Sequence, residues 1–228
     1  MLLGLLFLSL QAGAADGAKR ANFSSERSSP EAKHVADWVV HSGDNRAAEN
    51  RADDDRRLPF VILDKTDARI YAFDAQGNLL AAAPALLGLG IGDTSFDGIG
   101  QRKLSTIRAA DRTTPAGRFV GFMGHAFVAN PKRAEDVLWV DYPGGVSIHR
   151  VVKSANRMLR MASPTPLDNR ISFGCINVPV KFFEDAVRPA FRESKGIVYV
   201  LPETRSAREL FASYDVEEHL RKQAADPK

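Results

Sequence analysis

Residues 60–73 read Phe60-Val61-Ile62-Leu63-Asp64-Lys65-Thr66-Asp67-Ala68-Arg69-Ile70-Tyr71-Ala72-Phe73. A short apolar run, a polar turn at 64–67 and a second run with alternating apolar positions predict two strands joined as a hairpin. Working outward, a turn at 74–78 leads into apolar strand at 79–87. Further strands are expected at 118–122, 137–142 and 146–152, the last two joined by Pro143-Gly144-Gly145, with a closing strand at 197–201. Apolar residues at Phe182, Phe183, Ala186, Val187 and Ala190 predict an amphipathic helix over 179–191, and 206–224 reads as a polar C-terminal helix. Many short strands with few helices predict a mainly β, sandwich-like domain over 58–202 with a few flanking helices.

The 228 residues carry 31 Lys and Arg against 28 Asp and Glu, with 44% hydrophobic and 26% charged. That balance excludes a disordered polyelectrolyte, a collagen-like chain and a multi-spanning membrane protein. A pI near 9.1 reflects a net charge of only +3, a weak field that gives no reason to expect nucleic acid as a partner. The length suits one domain of about 150 residues with extensions.

The extensions differ from the domain in composition. Residues 1–10, MLLGLLFLSL, are followed by Gln11-Ala12-Gly13-Ala14-Ala15, which resembles a secretory signal cut after Ala14 or Ala15. No Lys or Arg precedes the apolar core, and a buried N-terminal helix is the alternative. The run falls short of the about 20 apolar residues a membrane span needs, so no stable span is expected after signal cleavage. Residues 16–57 form a polar helical and linker segment. Ser29-Pro30-Glu31 marks a helix start followed by an apolar stripe at Ala32, Val35, Ala36 and Val39, and 45–57 is a charged linker or solvated helix. The C-terminal helix belongs to a last segment, 203–228.

There is a single cysteine, Cys175. It cannot form an internal disulfide, which leaves an intermolecular bridge, a buried apolar filler or a free thiol. Its neighbourhood is Ile171-Ser172-Phe173-Gly174-Cys175-Ile176-Asn177-Val178-Pro179. Gly174 permits a tight bend that would aim the Gly174 and Cys175 amides at a carbonyl oxygen. A helix beginning at Asn177 or Val178 would favour the thiolate through its positive end. Upstream, Val146-Ser147-Ile148-His149-Arg150 alternates, so Ser147 and His149 share one strand face. An imidazole within reach of the thiol would complete a nucleophile and base.

Other candidates read more plainly. His125 is expected in a surface loop near a strand end, and His34, His41 and His219 lie in the extensions without metal-ligand spacing. Trp139 and Tyr142 read as core and hairpin residues. The glycine-rich run at 88–100, GLGIGDTSFDGIG, lacks the Gly-Lys-Ser/Thr ending of a phosphate loop and is expected to lie flexibly over one sheet face. Arg150, Lys153, Arg157, Arg160 and Arg170 are either a solvated basic face or a set that holds substrate carboxylates.

The Ser-x-Gly-Cys-hydrophobic-Asn run with an Ile-His upstream at a strand end resembles the L,D-transpeptidase (YkuD-type) catalytic domain. Thr114-Pro115-Ala116-Gly117-Arg118-Phe119 resembles that family's Thr-Pro-x-Gly-x-Phe turn, and residues 61–73 its first hairpin. The resemblance covers about 58–202. It implies Cys175 as nucleophile, His149 as base and the Arg150 carbonyl as the group that orients the imidazole, with Gly174 beside the thiol. Ser172 would order the loop, Asn177 would be the motif's terminal polar residue, and Phe173 and Arg170 would border the substrate. The implied substrates are peptidoglycan stem peptides, attacked at the third residue to leave a thioester, with no metal or organic cofactor and an exported, periplasmic location. Two features depart from the pattern. Phe173 stands where the family has His, and 22 residues separate His149 from Ser172, giving room for a lid at 153–166. A transpeptidase, a carboxypeptidase or endopeptidase that uses water, and an inactive wall-binding homologue all remain open.

Overall fold

The computed structural model describes residues 19–46 and 56–226. The expected signal at 1–15 and most of the charged stretch at 45–57 lie outside the described residues.

Among the described residues the strands are β1 (Phe60–Asp64), β2 (Arg69–Phe73), β3 (Leu79–Pro84), β4 (Leu87–Gly88), β5 (Gly117–Asn130), β6 (Arg133–Asp141), β7 (Val146–Arg150), β8 (Arg170–Ser172), β9 (Ile176–Val178) and β10 (Gly196–Val200). Eight of them make one sheet in the order β3-β2-β1-β10-β5-β6-β7-β9, and β4 pairs with β8 separately. The pairs β1/β10 and β7/β9 are parallel. The chain is mainly β with a few flanking helices, and its two layers are halves of a single folded sheet. The long strand β5 belongs to both halves: 117–121 pair with β10, and from Phe122 onward it pairs with β6.

The inner faces share one core. Val61, Leu63, Val198 and Val200 come from one half and Leu138, Ile148 and Ile176 from the other, while Phe182, Phe183, Val187 and Phe191 plug the space between. Beyond β3, Leu86 exchanges two backbone hydrogen bonds with Asn177 of β9, at 2.8 and 2.9 Å. The two ends of the sheet therefore meet, and the outer edge of β9 is closed to stray pairing.

All five residues of β1 and of β10 are buried because both faces are covered, which is why these strands read as continuous apolar runs. Alternation sends Phe60, Ile62, Ile197 and Tyr199 outward, against helix α1 (Pro30–Ser42). Ser29 caps α1 by accepting the Ala32 N–H at 3.0 Å, and its hydroxyl donates to Asp64 at the end of β1. Val35, Ala36 and Val39 are fully buried against the sheet. Burying a valine side chain contributes about 1.5–3 kcal/mol, so the apolar stripe rather than helix propensity holds α1 in place.

Three local expectations change. The strand expected at 118–122 runs on to Asn130, and His125 sits on β5 opposite Asp136, not in a loop. Gly124 pairs with Val137 in this strand under the Trp139 indole, where an added Cβ would come within 2.6 Å of the ring. The helix after Val178 is interrupted, α-helical over Val180–Phe182 and Arg188–Phe191 with a π turn at Phe183–Val187. Pro189 has no N–H to donate, and the wider turn immediately precedes it. The C-terminal helix is two pieces, Ala207–Phe211 and Val216–Ala225, separated at Ala212 with φ +51°. Each piece has its own cap, a Ser206/Glu209 capping box and Asp215.

Candidate functional site

The parallel pairing of β7 with β9 sets Ile148 beside Ile176 and His149 beside Asn177. The two isoleucines point into the core, so Ser147, His149, Cys175 and Asn177 emerge together on the opposite face. There they line a cavity of about 380 Å³. Ile99, Leu104 and Ile107, in and beyond the glycine-rich run, form one apolar wall. Trp139, expected in the core, lines the cavity as well. The glycine-rich run at 88–100 is loop over most of its length, leaving β4 at Gly88 and ending in a 3-10 turn at Ile99–Gln101.

His149 is 6% exposed. Its Nδ1 lies 2.8 Å from the Arg150 carbonyl, which only accepts, so the ring proton sits on Nδ1 and the Nε2 lone pair is free to face the site. That lone pair meets the Asn177 amide at 3.4 Å. Burial lowers the imidazole to about 4, the charges of Arg157 and Arg150 push the same way, and the Arg150 carbonyl opposes them. His149 is a neutral base at neutral pH. The Arg150 side chain turns away from the cavity, pairing with Glu184 at 2.6 Å and Asp136 at 2.9 Å over the Phe183 ring. It clamps the end of β7, so that Arg150 touches the imidazole through its carbonyl.

Cys175 is partly exposed. Its Sγ donates to the Gly145 carbonyl at 3.4 Å and lies 3.8 Å from the Ser147 hydroxyl. Burial pushes the thiol up, against the pull of the Ser147 backbone N–H and hydroxyl, so the resting group is a thiol and not a thiolate. No helix start supports it: Asn177 and Val178 are strand, and the helix begins at Val180. The backbone N–H and C=O of Asn177 are taken by Leu86, which holds that stretch extended.

The loop before the thiol is closed from within. Gly174 has φ +126°, and a Cβ there would lie 2.9 Å from the Thr113 carbonyl, so the bend requires glycine. Its N–H, expected to face an oxyanion, donates to Ser172 Oγ at 3.1 Å, and Ser172 donates to the Cys175 carbonyl at 2.6 Å. Thr114 pins the loop by donating to the Gly174 carbonyl at 2.9 Å while accepting the Gly88 N–H at 2.9 Å. Phe173 lines the cavity beneath the Arg112 guanidinium, 3.9 Å from its ring centroid.

Arg170 is not at the cavity. It is 8% exposed and pairs with Glu203 beside the buried Lys65, so it is not available to hold a substrate carboxylate. From the same basic set Arg157, on helix α2 (Ala155–Met161) in the expected lid, does line the cavity and donates to the Asn177 side-chain oxygen. Ser147, which shares His149's strand face, is the thiol's polar neighbour. Thr114 carried no local signal for its bridging role.

No protein-family model matches the chain, and no curated protein does. Among solved structures the chain is similar to an L,D-transpeptidase in complex with imipenem, 17% identical over 63% of this chain and 59% of that one, with a TM-score of 0.37. It is also similar to a Cys-to-Ser mutant of the Enterococcus faecium L,D-transpeptidase, 16% identical over 65% of this chain and 51% of that one, with a TM-score of 0.32. A third is the L,D-transpeptidase from Xylanimonas cellulosilytica, 15% identical over 71% and 67%, with a TM-score of 0.38. The chain thus spans 51–67% of the length of these structures. No helix among the described residues is long and apolar enough to cross a membrane.

Proposed function

We propose that the chain is an exported cysteine acyltransferase of the L,D-transpeptidase kind that forms or remodels cross-links between peptidoglycan stem peptides. The observation that carries this reading is the meeting, in one cavity, of the Cys175 thiol and the unprotonated Nε2 of a neutral His149. The sequence motif around Cys175 supplies the substrate class.

The chemistry needs both groups in their resting forms. Sγ leaves the Gly145 carbonyl, its proton passes to His149 Nε2, and the sulfur attacks the carbonyl carbon of the third stem residue. His149 returns that proton to the departing amine of the terminal D-Ala as the C–N bond breaks and the thioester remains. An amine from a second stem then attacks the thioester, giving up its proton to His149, and Sγ leaves protonated. Attack by water along the same path would give hydrolysis. The Nδ1–H bond to the Arg150 carbonyl stabilises the imidazolium formed between steps.

Intact-mass measurement of the mature protein with tetrapeptide-stem muropeptides, beside Cys175→Ala, tests the proposal. The expected result is a thioester adduct, released D-Ala and cross-linked dimer, all absent from the variant. Cleaved monomer alone would assign the chain to hydrolysis. Neither adduct nor product across a range of stem peptides would overturn the reading.

A further inference from the structure

We propose that the Cys175 cavity selects acyl donors bearing a free carboxylate close to the attacked carbonyl, and that Arg157, assisted at the rim by Arg102, reads that carboxylate. The proposal names the substrate chemistry of the site described above; only its peptide arm rests on the transpeptidase reading.

Several arginines around the sheet are held by carboxylates. Arg150 and Arg188 share Asp136 and Glu184. Arg170 and Lys65 share Glu203, Arg118 holds Asp44, and Arg69 holds Glu26. The two arginines that line the Cys175 cavity, Arg157 and Arg102, have no carboxylate partner among the described residues. Arg157 donates to the neutral Asn177 side chain, and Arg102 lies over the Phe96 ring at 4.3 Å. Both line the cavity of Cys175, and no Asp or Glu among the described residues lines it with them. Two cations and no anion around a half-enclosed hollow make a positive field, and field lines concentrate in such a hollow. A planar guanidinium matches a carboxylate with two parallel hydrogen bonds, a geometry that an amide or a lone water reproduces poorly.

The position of the charge narrows the ligand further. Arg157 holds Asn177 Oδ1, and Asn177 Nδ2 faces His149 Nε2 at 3.4 Å. A carboxylate on Arg157 would therefore sit one side chain away from the base, within the residue under attack or its immediate neighbour. Engaging it frees Asn177 and neutralises one of the charges that hold His149 low. Recognition of the acid then makes the imidazole a stronger base at the moment the thiol must lose its proton.

Two alkylating agents of nearly equal shape test the charge without any assumption about the natural substrate. Iodoacetate and iodoacetamide both alkylate a thiol, the S–C bond forming as iodide leaves and the thiol proton passes to His149, but only the first carries a carboxylate. The ratio of the Cys175 alkylation rates, iodoacetate over iodoacetamide, is expected to exceed the ratio for the urea-unfolded chain by about tenfold, the size of one charge-assisted hydrogen bond. Arg157→Gln should remove most of that excess, Arg157→Lys should keep part of it, and Arg102→Gln should cost less. A folded-state ratio equal to the unfolded one, or one that Arg157→Gln leaves unchanged, overturns the proposal. In the second arm, tetrapeptide stems with the third residue's side-chain carboxyl free or amidated are compared for thioester formation. The free acid should react faster in the native protein and lose its advantage in Arg157→Gln; equal loss for both peptides would make Arg157 a structural support of Asn177 and overturn the carboxylate reading. Selective alkylation with no peptide adduct would sustain the charge selection and sink the transpeptidase assignment instead.

Discussion

Two buried polar regions lie on either side of Thr114, and they are finished differently. On one side Lys65, with no exposed side-chain surface, bonds the Gly92 carbonyl at 2.6 Å, Asp93 at 2.8 Å and the Thr114 carbonyl at 3.1 Å. Glu203 and Arg170 complete the cluster, and Asp93 also takes the N–H groups of Glu203 and Thr204 at 2.8 and 2.9 Å. Burial would push Asp93 up, but these bonds outweigh it and hold the carboxyl well below its usual range. On the other side the groups are left half-made. The thiol has only long contacts, the imidazole lone pair faces an amide at 3.4 Å, and two arginines lack carboxylates. A fold closes the polar groups it needs for itself and leaves open the ones a ligand is to close. Thr114 joins the two regions, taking Lys65 on its carbonyl and holding Gly174 with its hydroxyl.

The largest effect is expected at Lys65. Lys65→Met keeps the volume but leaves Asp93 and Glu203 buried without their shared cation. Removing one partner of a buried ion pair costs about 3–5 kcal/mol, so urea unfolding should show a loss of that size. Cys175 should also alkylate with altered rate in the surviving folded protein, since Thr114 loses its anchor. A loss below about 1 kcal/mol would mean that the cluster is no more closed than the cavity.

A smaller effect, and one confined to the open region, is the pH dependence of His149. Its folded value near 4 lies below the ordinary 6.5, so the fold prefers the neutral ring. That preference contributes fully above pH 6.5 and is lost as pH falls toward 4, where the unfolded chain gains a proton the folded chain refuses. A separation of about 2.5 units corresponds to about 3 kcal/mol. His34 and His41 are also lowered, and Asp37 and Asp64 raised, so the measurement is the difference between the native protein and His149→Gln across pH 7 to 4. The native protein should lose more stability than the variant over that range. Parallel curves would show that the imidazole is not held neutral by its surroundings. Thioester formation should likewise keep its acid limb near pH 4.

What the sequence alone revealed divides along the same line between local and distant causes. The hairpin at β1 and β2 was legible because its apolar pattern and its turn chemistry are both local, and so was the shared face of Ser147 and His149. The bond from His149 to the Arg150 carbonyl joins neighbours in the chain. The helix starts later than the local sequence suggests: Pro179 suits a first helical turn, but the group that keeps Asn177 extended is Leu86, 91 positions earlier in the chain. Nothing near Arg170 or Arg157 says which of them faces the cavity; Glu203 and the turn of α2 decide it. Thr114 could be read as part of a turn, but not as the bolt between Gly88 and Gly174.

The smallest expected effect concerns Phe173, the one motif position where this chain departs from the pattern it resembles. Its ring does something particular here: it carries the Arg112 guanidinium, which is tethered in turn to the carbonyl of Ile107, another residue lining the cavity, at 3.1 and 3.2 Å. Phe173→His keeps a planar ring but weakens the attraction of its face for a cation, a contribution of about 0.5–1 kcal/mol at a partly exposed site. Melting should therefore fall slightly. The new imidazole would stand beside Gly174 while His149 remains the base, so thioester formation should hold steady or rise. The informative result is a mismatch between the two readouts. A large loss of acylation with little change in stability would mean that the Phe173–Arg112 stack shapes the cavity for its ligand, and that the phenylalanine is a working part of the open region.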